Sequence, residues 1–120
     1  MKTTRTRSVA QPAVVPRSAA ASSLDAMASH AEEAIAVLKA IGSPNRLMLL
    51  CKLLDGERSV NELAAALGLA QSVVSQHLSL LRRDGVVIGR REGQSIRYAI
   101  RDDRVRRLMD TLFELFCGND

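Results

Sequence analysis

The stretch Ser59–Leu81, SVNELAAALGLAQSVVSQHLSLL, decides the fold of this chain. It predicts two short helices joined by a tight turn. Ser59 and Glu62 stand at the spacing of a capping box, which starts a helix. Gly68 follows an apolar stripe of helical period, at a point where a helix end often needs a left-handed residue. Two helices around such a corner are typical of a helix-turn-helix.

The second helix of this stretch has one apolar face and one polar face. It begins near Ala70, and Val74, Leu78 and Leu81 repeat at helical spacing on the face predicted to be buried. The opposite face has no acid and offers short hydrogen-bonding side chains and one cation: Gln71, Ser72, Ser75, Gln76, Ser79 and Arg82. Such a face suits the DNA major groove, where side chains contact base edges and phosphates. The alternative is an ordinary helical hairpin with a solvated surface.

Length and charge indicate one small domain with a basic tail. The 120 residues carry a net charge of +4, and residues 1–23 hold four basic and no acidic side chains. This segment shows no period, so we expect a disordered tail followed by one domain over residues 24–120. An acid-free start rich in Arg and Ser is also typical of an organellar transit peptide.

Composition narrows the class of protein and its partner. Residues 70–101 hold six arginines against two acids, and local basic charge is what phosphate contact requires. An aromatic content of 2% argues against single-strand binding by base stacking. No apolar run reaches the length of a membrane helix, and two cysteines are too few for a secreted disulfide scaffold. We therefore expect a soluble, cytoplasmic protein.

Two helices are predicted before the central stretch. Leu24–Ile41 carries an apolar stripe of helical period, which Gly42 ends. Ser43 and Pro44 then suit the first positions of a second helix, which runs to about Leu54. Because this second helix is apolar nearly all round, we expect it to be the most buried element.

A β-hairpin is predicted directly after the polar helix. Val86–Arg91 and Gln94–Ile100 are β-prone runs joined through Glu92-Gly93. Polar side chains gather near its tip: Arg90, Arg91, Gln94 and Arg97. A hairpin with this tip after a recognition helix is the wing of a winged helix, and we expect it to contact phosphates or the minor groove.

The last helix predicts contact with a second copy of the chain. Asp102-Asp103 caps it, and its apolar stripe from Val105 to Phe116 is wider than one small domain can cover. We expect a homodimer formed through the first and last helices, since two-fold DNA sites call for two-fold proteins. The alternative is that both helices complete the core of one copy.

The motifs IGSPNRLMLL, SVNELAAALGLAQSVVSQHLSLLRRDGVV and RREGQSIRYAI resemble the ArsR/SmtB family of bacterial winged-helix repressors. The likeness covers about residues 31–117, and its most specific part is the run S-x-x-S-x-H-L-x-x-L-x-x-x-G-V from Ser72 to Val86. It implies a mainly α winged helix-turn-helix fold and a homodimer that leaves an inverted-repeat operator when an inducer binds. We interpret His77, inside this run, as a structural or DNA-facing residue.

Many members of the family sense metals, but their ligands are missing from this sequence. Where those members often have E-L-C-V-C-D-L, this chain has Ser59 and Asn61 in place of the two cysteines. The last helix, Asp102–Cys117, has no histidine, and His30 reads as a solvated helix position. A closed zinc site needs four ligands, so we expect neither a metal nor a cofactor.

Cys51 and Cys117 fall on the second and last predicted helices. From residue type alone, they are two small buried hydrophobes. The sulfide- and persulfide-responsive repressors of the family have one cysteine on each of these helices, and this resemblance implies a redox-sensing pair. One thiolate would take up sulfur as a persulfide, and the other would resolve it to a disulfide or a sulfur bridge. Arg46, Lys52 and Arg58 are candidates to lower a thiol pKa.

Together these features predict a DNA-binding repressor that is released when Cys51 and Cys117 are oxidised or bridged by (per)sulfide. Two alternatives stay open: a repressor of the same type that senses a metal or a non-thiol ligand, and a winged-helix protein-interaction module. No acid–base pair, nucleophile triad or phosphate loop is visible in the sequence, so we do not expect an enzyme.

Overall fold

A computed structural model describes the backbone of residues 17–118 and the side chains of residues 23–118. Residues 1–16, which make up most of the predicted tail, lie outside the described residues. The described part contains five helices and three strands, in the order α1 (Arg17–Ile41), α2 (Pro44–Leu53), β1 (Arg58–Ser59), α3 (Val60–Leu67), α4 (Gln71–Arg83), β2 (Val87–Glu92), β3 (Ser95–Ile100) and α5 (Asp103–Cys117).

The first helix is longer than predicted. α1 begins at Arg17 rather than at Leu24. Its added turns are rich in alanine, which favours a helix without contributing to an apolar stripe. The chain divides into two compact units, one that ends at Ala34 and one that begins at Ile35.

In the first unit, the described side chains of α1 face solvent. Leu24 and Met27 are exposed. His30 is exposed as well, and its Nδ1 lies 2.6 Å from the carboxylate of Glu33.

In the second unit, the predicted caps form the helix starts. The hydroxyl of Ser43 accepts a 3.1 Å hydrogen bond from the backbone N–H of Arg46 and starts α2. Ser59 and Glu62 form the predicted capping box: each side chain accepts from the other's backbone N–H, at 3.1 and 2.9 Å. Gly68 ends α3 with a φ of 67°, a left-handed conformation that glycine adopts without strain. The chain then bends by 117° into α4, within the range of a helix-turn-helix.

The core of the second unit is built around leucines from three helices. Six of them are no more than 1% exposed: Leu49, Leu50, Leu53, Leu63, Leu78 and Leu81. α2, which we expected to be the most buried element, buries Leu49, Leu50 and Leu53, but its Met48 remains 47% exposed. An apolar residue on that side of α2 is therefore available to a neighbour.

The wing is the outer part of a three-stranded antiparallel sheet with strand order β1-β3-β2. β2 and β3 pair from Val87–Ile100 to Glu92–Ser95, so the turn is Gly93-Gln94 and not the predicted Glu92-Gly93. Gly93 has a φ of 63° and supplies the left-handed conformation at the first turn position. β1 was not predicted, because two residues are too few to show a strand period.

The last helix begins at the predicted cap and leaves much of its apolar stripe uncovered. The Asp102 carboxylate accepts a 2.9 Å hydrogen bond from the N–H of Arg104. Val105 and Met109 are buried, but three larger side chains further along are not: Phe113, Leu115 and Phe116 are 54%, 70% and 80% exposed.

Among the described helices, none alone is both long and apolar enough to cross a membrane. Two bent pairs, α1 with α2 and α3 with α4, meet the length and composition requirement only jointly.

Candidate nucleic-acid interface and thiol pair

The outer face of α4 is polar and open to solvent. Val74, Leu78 and Leu81 fix its inner face in the core. The predicted contact residues on its outer face are all exposed: Gln71, Ser72, Ser75, Gln76 and Arg82. The first turn holds no acid and its N-cap, Ala70, makes no side-chain hydrogen bond. The helix start therefore offers backbone N–H groups and a positive dipole end to an anion.

His77 lies between these two faces of α4. Its ring is half-buried, and its Nδ1 is enclosed without a hydrogen-bond partner among the described residues. This ring is less available to a ligand than the exposed side chain of Gln76 beside it. A structural or DNA-facing role for His77 stays a prediction.

The wing side chains predicted to contact DNA fall into two groups. Arg91 and Gln94 are exposed, and within residues 23–118 Arg91 makes no ion pair. Arg90 instead donates to both carboxylate oxygens of Glu57, at 2.6 and 3.1 Å. Arg97 is only 23% exposed and lies 3.3 Å from the Glu62 carboxylate. The sequence predicted the same DNA-contacting role for Arg90, Arg91 and Arg97, but their surroundings in the structure differ.

The pKa values agree with this division. The hydrogen bonds from Arg90 hold the pKa of Glu57 below its ordinary value, and Glu57 in turn raises the pKa of Arg90. The pKa of Glu62 is lowered first by the backbone N–H of Ser59 and then by the charge of Arg97. Both carboxylates are therefore ionised at neutral pH. Their negative charges balance the positive charges of the arginines beside them.

Sequence reasoning missed the role of Glu57. It lies 33 positions from Arg90 and shares no helical or strand period with the wing. Only the antiparallel pairing of β1 with β3 brings the two together.

Both cysteines are free. Cys51 on α2 is half-buried, and Cys117 at the end of α5 is exposed. Burial raises the pKa of the Cys51 thiol, and the negative charges of the Cys117 thiolate and Asp55 raise it further. The charge of Cys117, on another helix, therefore reaches Cys51. Treating both as buried hydrophobes is wrong for Cys117.

Arg46, Lys52 and Arg58, the candidates to lower a thiol pKa, do not lower that of Cys51. The Cys51 pKa is raised, and the charges that act on it are negative. Arg46 donates to the backbone carbonyls of Lys39 and Ala40, at 3.0 and 2.8 Å. Arg58 donates to the backbone carbonyl of Glu57. At neutral pH Cys51 is therefore mainly a thiol.

The part of the chain that the structure describes contains no cluster of three or more His, Cys, Asp or Glu side chains placed to hold a metal ion.

Comparison with known proteins connects this geometry to a family. The sequence profile of the bacterial regulatory proteins of the arsR family matches residues 43–88, which span α2, the helix-turn-helix and the start of the wing. The transcriptional activator HlyU of Vibrio cholerae serotype O1 is 43% identical over 94 residues, which make up 78% of this chain and 87% of that protein. This chain belongs to the ArsR family of bacterial regulatory proteins. It is thus a regulator and not an enzyme, and the winged helix-turn-helix prediction is confirmed.

Further relatives of this ArsR-family regulator include named repressors and solved structures. The biofilm growth-associated repressor of Agrobacterium fabrum is 43% identical over 95 residues, 79% of this chain and 81% of that protein. The structure of reduced HlyU from Vibrio cholerae N16961 superposes with a TM-score of 0.73 and 43% identity, covering 76% of this chain and 96% of that one. Mb0332 of Mycobacterium bovis, described as a homodimeric winged helix-turn-helix DNA-binding domain, gives a TM-score of 0.66 at 33% identity and covers 76% and 84%.

Proposed function

We propose that this ArsR-family transcriptional regulator is a cytoplasmic, homodimeric repressor that binds an inverted repeat in duplex DNA. We propose further that it leaves the DNA when Cys51 and Cys117 are oxidised or bridged by sulfur. The DNA half of the proposal is carried by the exposed polar face of α4, which is held in place by a sealed leucine core. The sulfur half is supported by the two free cysteines, half-buried Cys51 on α2 and exposed Cys117 on α5, and by the effect of the Cys117 charge on Cys51.

On the DNA, the α4 side chains have separate tasks. Side chains near the start of α4 contact base edges in the major groove, where amides and hydroxyls donate and accept hydrogen bonds: Gln71, Ser72, Ser75 and Gln76. Arg82 in the last turn contacts a phosphate. Arg91 and Gln94 extend this contact from the wing. Arg90 and Arg97 belong to the same wing, but their charges are already paired with carboxylates.

The dimer forms through exposed apolar side chains of the first and last helices. Phe113, Leu115 and Phe116 on α5 would be costly to leave in water, and Ile35 and Leu38 at the end of α1 are exposed as well. The homodimeric assembly described for Mb0332 supports this proposal. Two copies of α4 then face successive major grooves about 34 Å apart. A dimer that covers an inverted repeat blocks other proteins from the same DNA, and this favours repression.

The switch begins at the exposed thiol. The Cys117 thiolate attacks the sulfane sulfur of a persulfide donor, forms a protein persulfide and releases the donor's thiolate. Cys51, half-buried and mainly protonated, then loses its proton and attacks the inner sulfur of that persulfide. A disulfide forms and hydrosulfide leaves. The donor is reduced and the thiol pair is oxidised, so the electrons balance.

A link between Cys51 and Cys117 would act through the spacing of the dimer. It ties α2 to α5, the helix that we propose to form the interface. A changed angle between two copies moves the two α4 helices away from successive grooves. Each 1.4 kcal/mol lost from DNA binding lowers affinity about tenfold, so a small misfit empties the operator.

A gel-shift assay decides between this switch and its alternatives. An operator is first selected from random duplex DNA with the reduced protein. An organic persulfide should then release the wild-type protein, while Cys51→Ser and Cys117→Ser should stay bound. Unchanged release of both variants would remove the thiol switch. Release by a stoichiometric metal instead would favour a metal-sensing repressor, and failure to select any DNA would favour a protein-interaction module.

A further inference from the structure

We infer that Glu57 positions the wing and that Arg91, rather than Arg90 or Arg97, is the arginine through which the wing contacts phosphate. This inference rests on the proposed DNA-binding function and assigns its wing contacts.

Glu57 holds both paired arginines at once. Its carboxylate receives two hydrogen bonds from Arg90, at 2.6 and 3.1 Å, in the fork geometry that makes such pairs strong. Its backbone carbonyl accepts a 3.0 Å hydrogen bond from Arg97, whose Nε lies 3.7 Å from the same carboxylate. One residue in the loop before β1 and α3 therefore contacts both strands of the wing.

The wing needs this connection because Arg90 and Arg97 stand directly opposite each other on β2 and β3. Like charges at paired positions repel and destabilise a hairpin. Three carboxylates offset the repulsion: those of Glu57, Glu62 at 3.3 Å from Arg97, and Glu92 at 3.5 Å from Arg90 and 3.8 Å from Arg97. The charge of Arg58 also acts on Glu62, so the cluster is close to neutral.

Arg91 lies on the other face of the wing. Side chains alternate along a strand, and Arg91 shares its face with Gly89 and Val87, the last of which is buried in the core. Its cross-strand partner is Ile96, so no carboxylate stands opposite it. Arg91 therefore keeps its charge on the face that continues from the core.

These two faces respond differently to DNA. A phosphate that approaches Arg90 also meets the carboxylates of Glu57 and Glu92, which repel it. A phosphate at Arg91 meets a guanidinium that forms no ion pair with any of residues 23–118. Each phosphate that a protein neutralises adds about 0.9 to the slope of the logarithm of affinity against the logarithm of salt concentration. The slope therefore reports how many arginines contact phosphates.

The test measures this slope with a fluorescent mixed-sequence duplex, from about 50 to about 200 mM salt, for the full chain. Arg91→Gln should lower the slope by about 0.9 per wing, and Arg90→Gln should leave it unchanged. Glu57→Gln frees Arg90 and should raise the slope by up to about 0.9 per wing. Arg107→Gln on α5 removes the same charge outside the helix-turn-helix and the wing, and serves as the matched control.

Hydrogen exchange of the β2 and β3 amides supplies a second measurement that does not need DNA. Both Glu57→Gln and Arg90→Gln should speed exchange in the wing and leave α4 protected, while Arg91→Gln should change neither. Loss of slope in Arg90→Gln equal to that in Arg91→Gln would overturn the assignment of Arg91. Unchanged exchange and slope in Glu57→Gln would overturn the role of Glu57. If the wild-type protein does not bind the duplex at all, the proposed function fails, and the exchange data still decide whether Glu57 positions the wing.

Discussion

The Cys117 thiolate, at the end of α5, is close enough to Cys51 on α2 for its charge to raise the Cys51 pKa. The Cys51 thiol therefore resists ionisation. Cys51 is therefore a slow nucleophile while it is reduced, and a disulfide with Cys117 would remove the ionisable thiol of both residues.

The first prediction concerns the pH dependence of bridging. Only the thiolate attacks, and the Cys51 pKa is raised, so at neutral pH most Cys51 is protonated. Below that pKa, the thiolate fraction and the bridging rate should rise about tenfold per pH unit. Mass spectrometry of samples quenched at intervals after persulfide addition measures this rate.

Asp55→Asn tests the cause of that shift. It removes one of the charges that raise the Cys51 pKa and should speed bridging at neutral pH. Asp110→Asn on α5, whose charge does not act on Cys51, should leave the rate unchanged. Equal rates in both variants would contradict the electrostatic account.

The second prediction concerns α4. Gln76 is exposed, so Gln76→Ala should leave thermal stability nearly unchanged. It should reduce discrimination between the selected operator and mixed-sequence DNA by about 1–3 kcal/mol, the range for one amide–base contact. Fluorescence anisotropy with both duplexes measures the difference. Thr111→Ala on α5 is the control, and a Gln76→Ala protein that keeps full discrimination would show that this side chain does not contact a base.

The third prediction concerns the dimer. Phe116 is 80% exposed, so Phe116→Asp costs little in the fold of one copy and should yield a folded monomer. Analytical ultracentrifugation measures the mass. Ile88→Asp is the matched control, because Ile88 is a 50% exposed apolar residue on the wing, and this variant should stay dimeric. A dimeric Phe116→Asp protein would place the interface elsewhere.

The fourth prediction concerns close packing inside the wing. A Cβ at Gly89 would stand 2.8 Å from Cγ2 of Ile96 and 3.3 Å from Cε1 of Tyr98. Gly89→Ala should therefore cost about 1–3 kcal/mol of unfolding free energy, as is usual for overpacking. Adding Ile96→Ala removes the closest atom, so the two changes should be less destabilising together than their sum. Urea denaturation of the four proteins measures this coupling, and simple additivity would show that Ile96 is not what Gly89 accommodates.

Local signals in the sequence predicted much of this fold. The Ser59–Glu62 capping box, the Gly68 corner and the Ser43 cap are each encoded within a few residues, and all three occur as predicted. The predicted position of the hairpin turn was wrong by one residue. The sequence indicates that Gly93 lies in the turn, but it does not show whether Gly93 is the first or the second turn residue. The left-handed φ of Gly93 and the pairing of Glu92 with Ser95 show that Gly93 is the first turn residue.

Contacts between distant residues could not be predicted from the same signals. β1 has two residues and no period, yet it brings Glu57 to the wing arginines. The direction of the Cys51 pKa shift depends on burial and on Cys117, which stands on another helix. The sequence offered Arg46, Lys52 and Arg58 as candidates to lower a thiol pKa, but it could not show which side chains lie near Cys51.

The pairing of β1 with β3 has a consequence for how a signal can travel. β1 leads directly into α3, and β3 carries the wing, so the helix pair and the wing are fastened along one shared seam. In the proposed switch, a link between Cys51 and Cys117 would therefore move the helix-turn-helix and the wing together. Such a movement would affect DNA binding by changing the position of one recognition unit relative to that of the second copy of the chain. A single, unpaired copy should therefore hold DNA weakly and equally in both oxidation states.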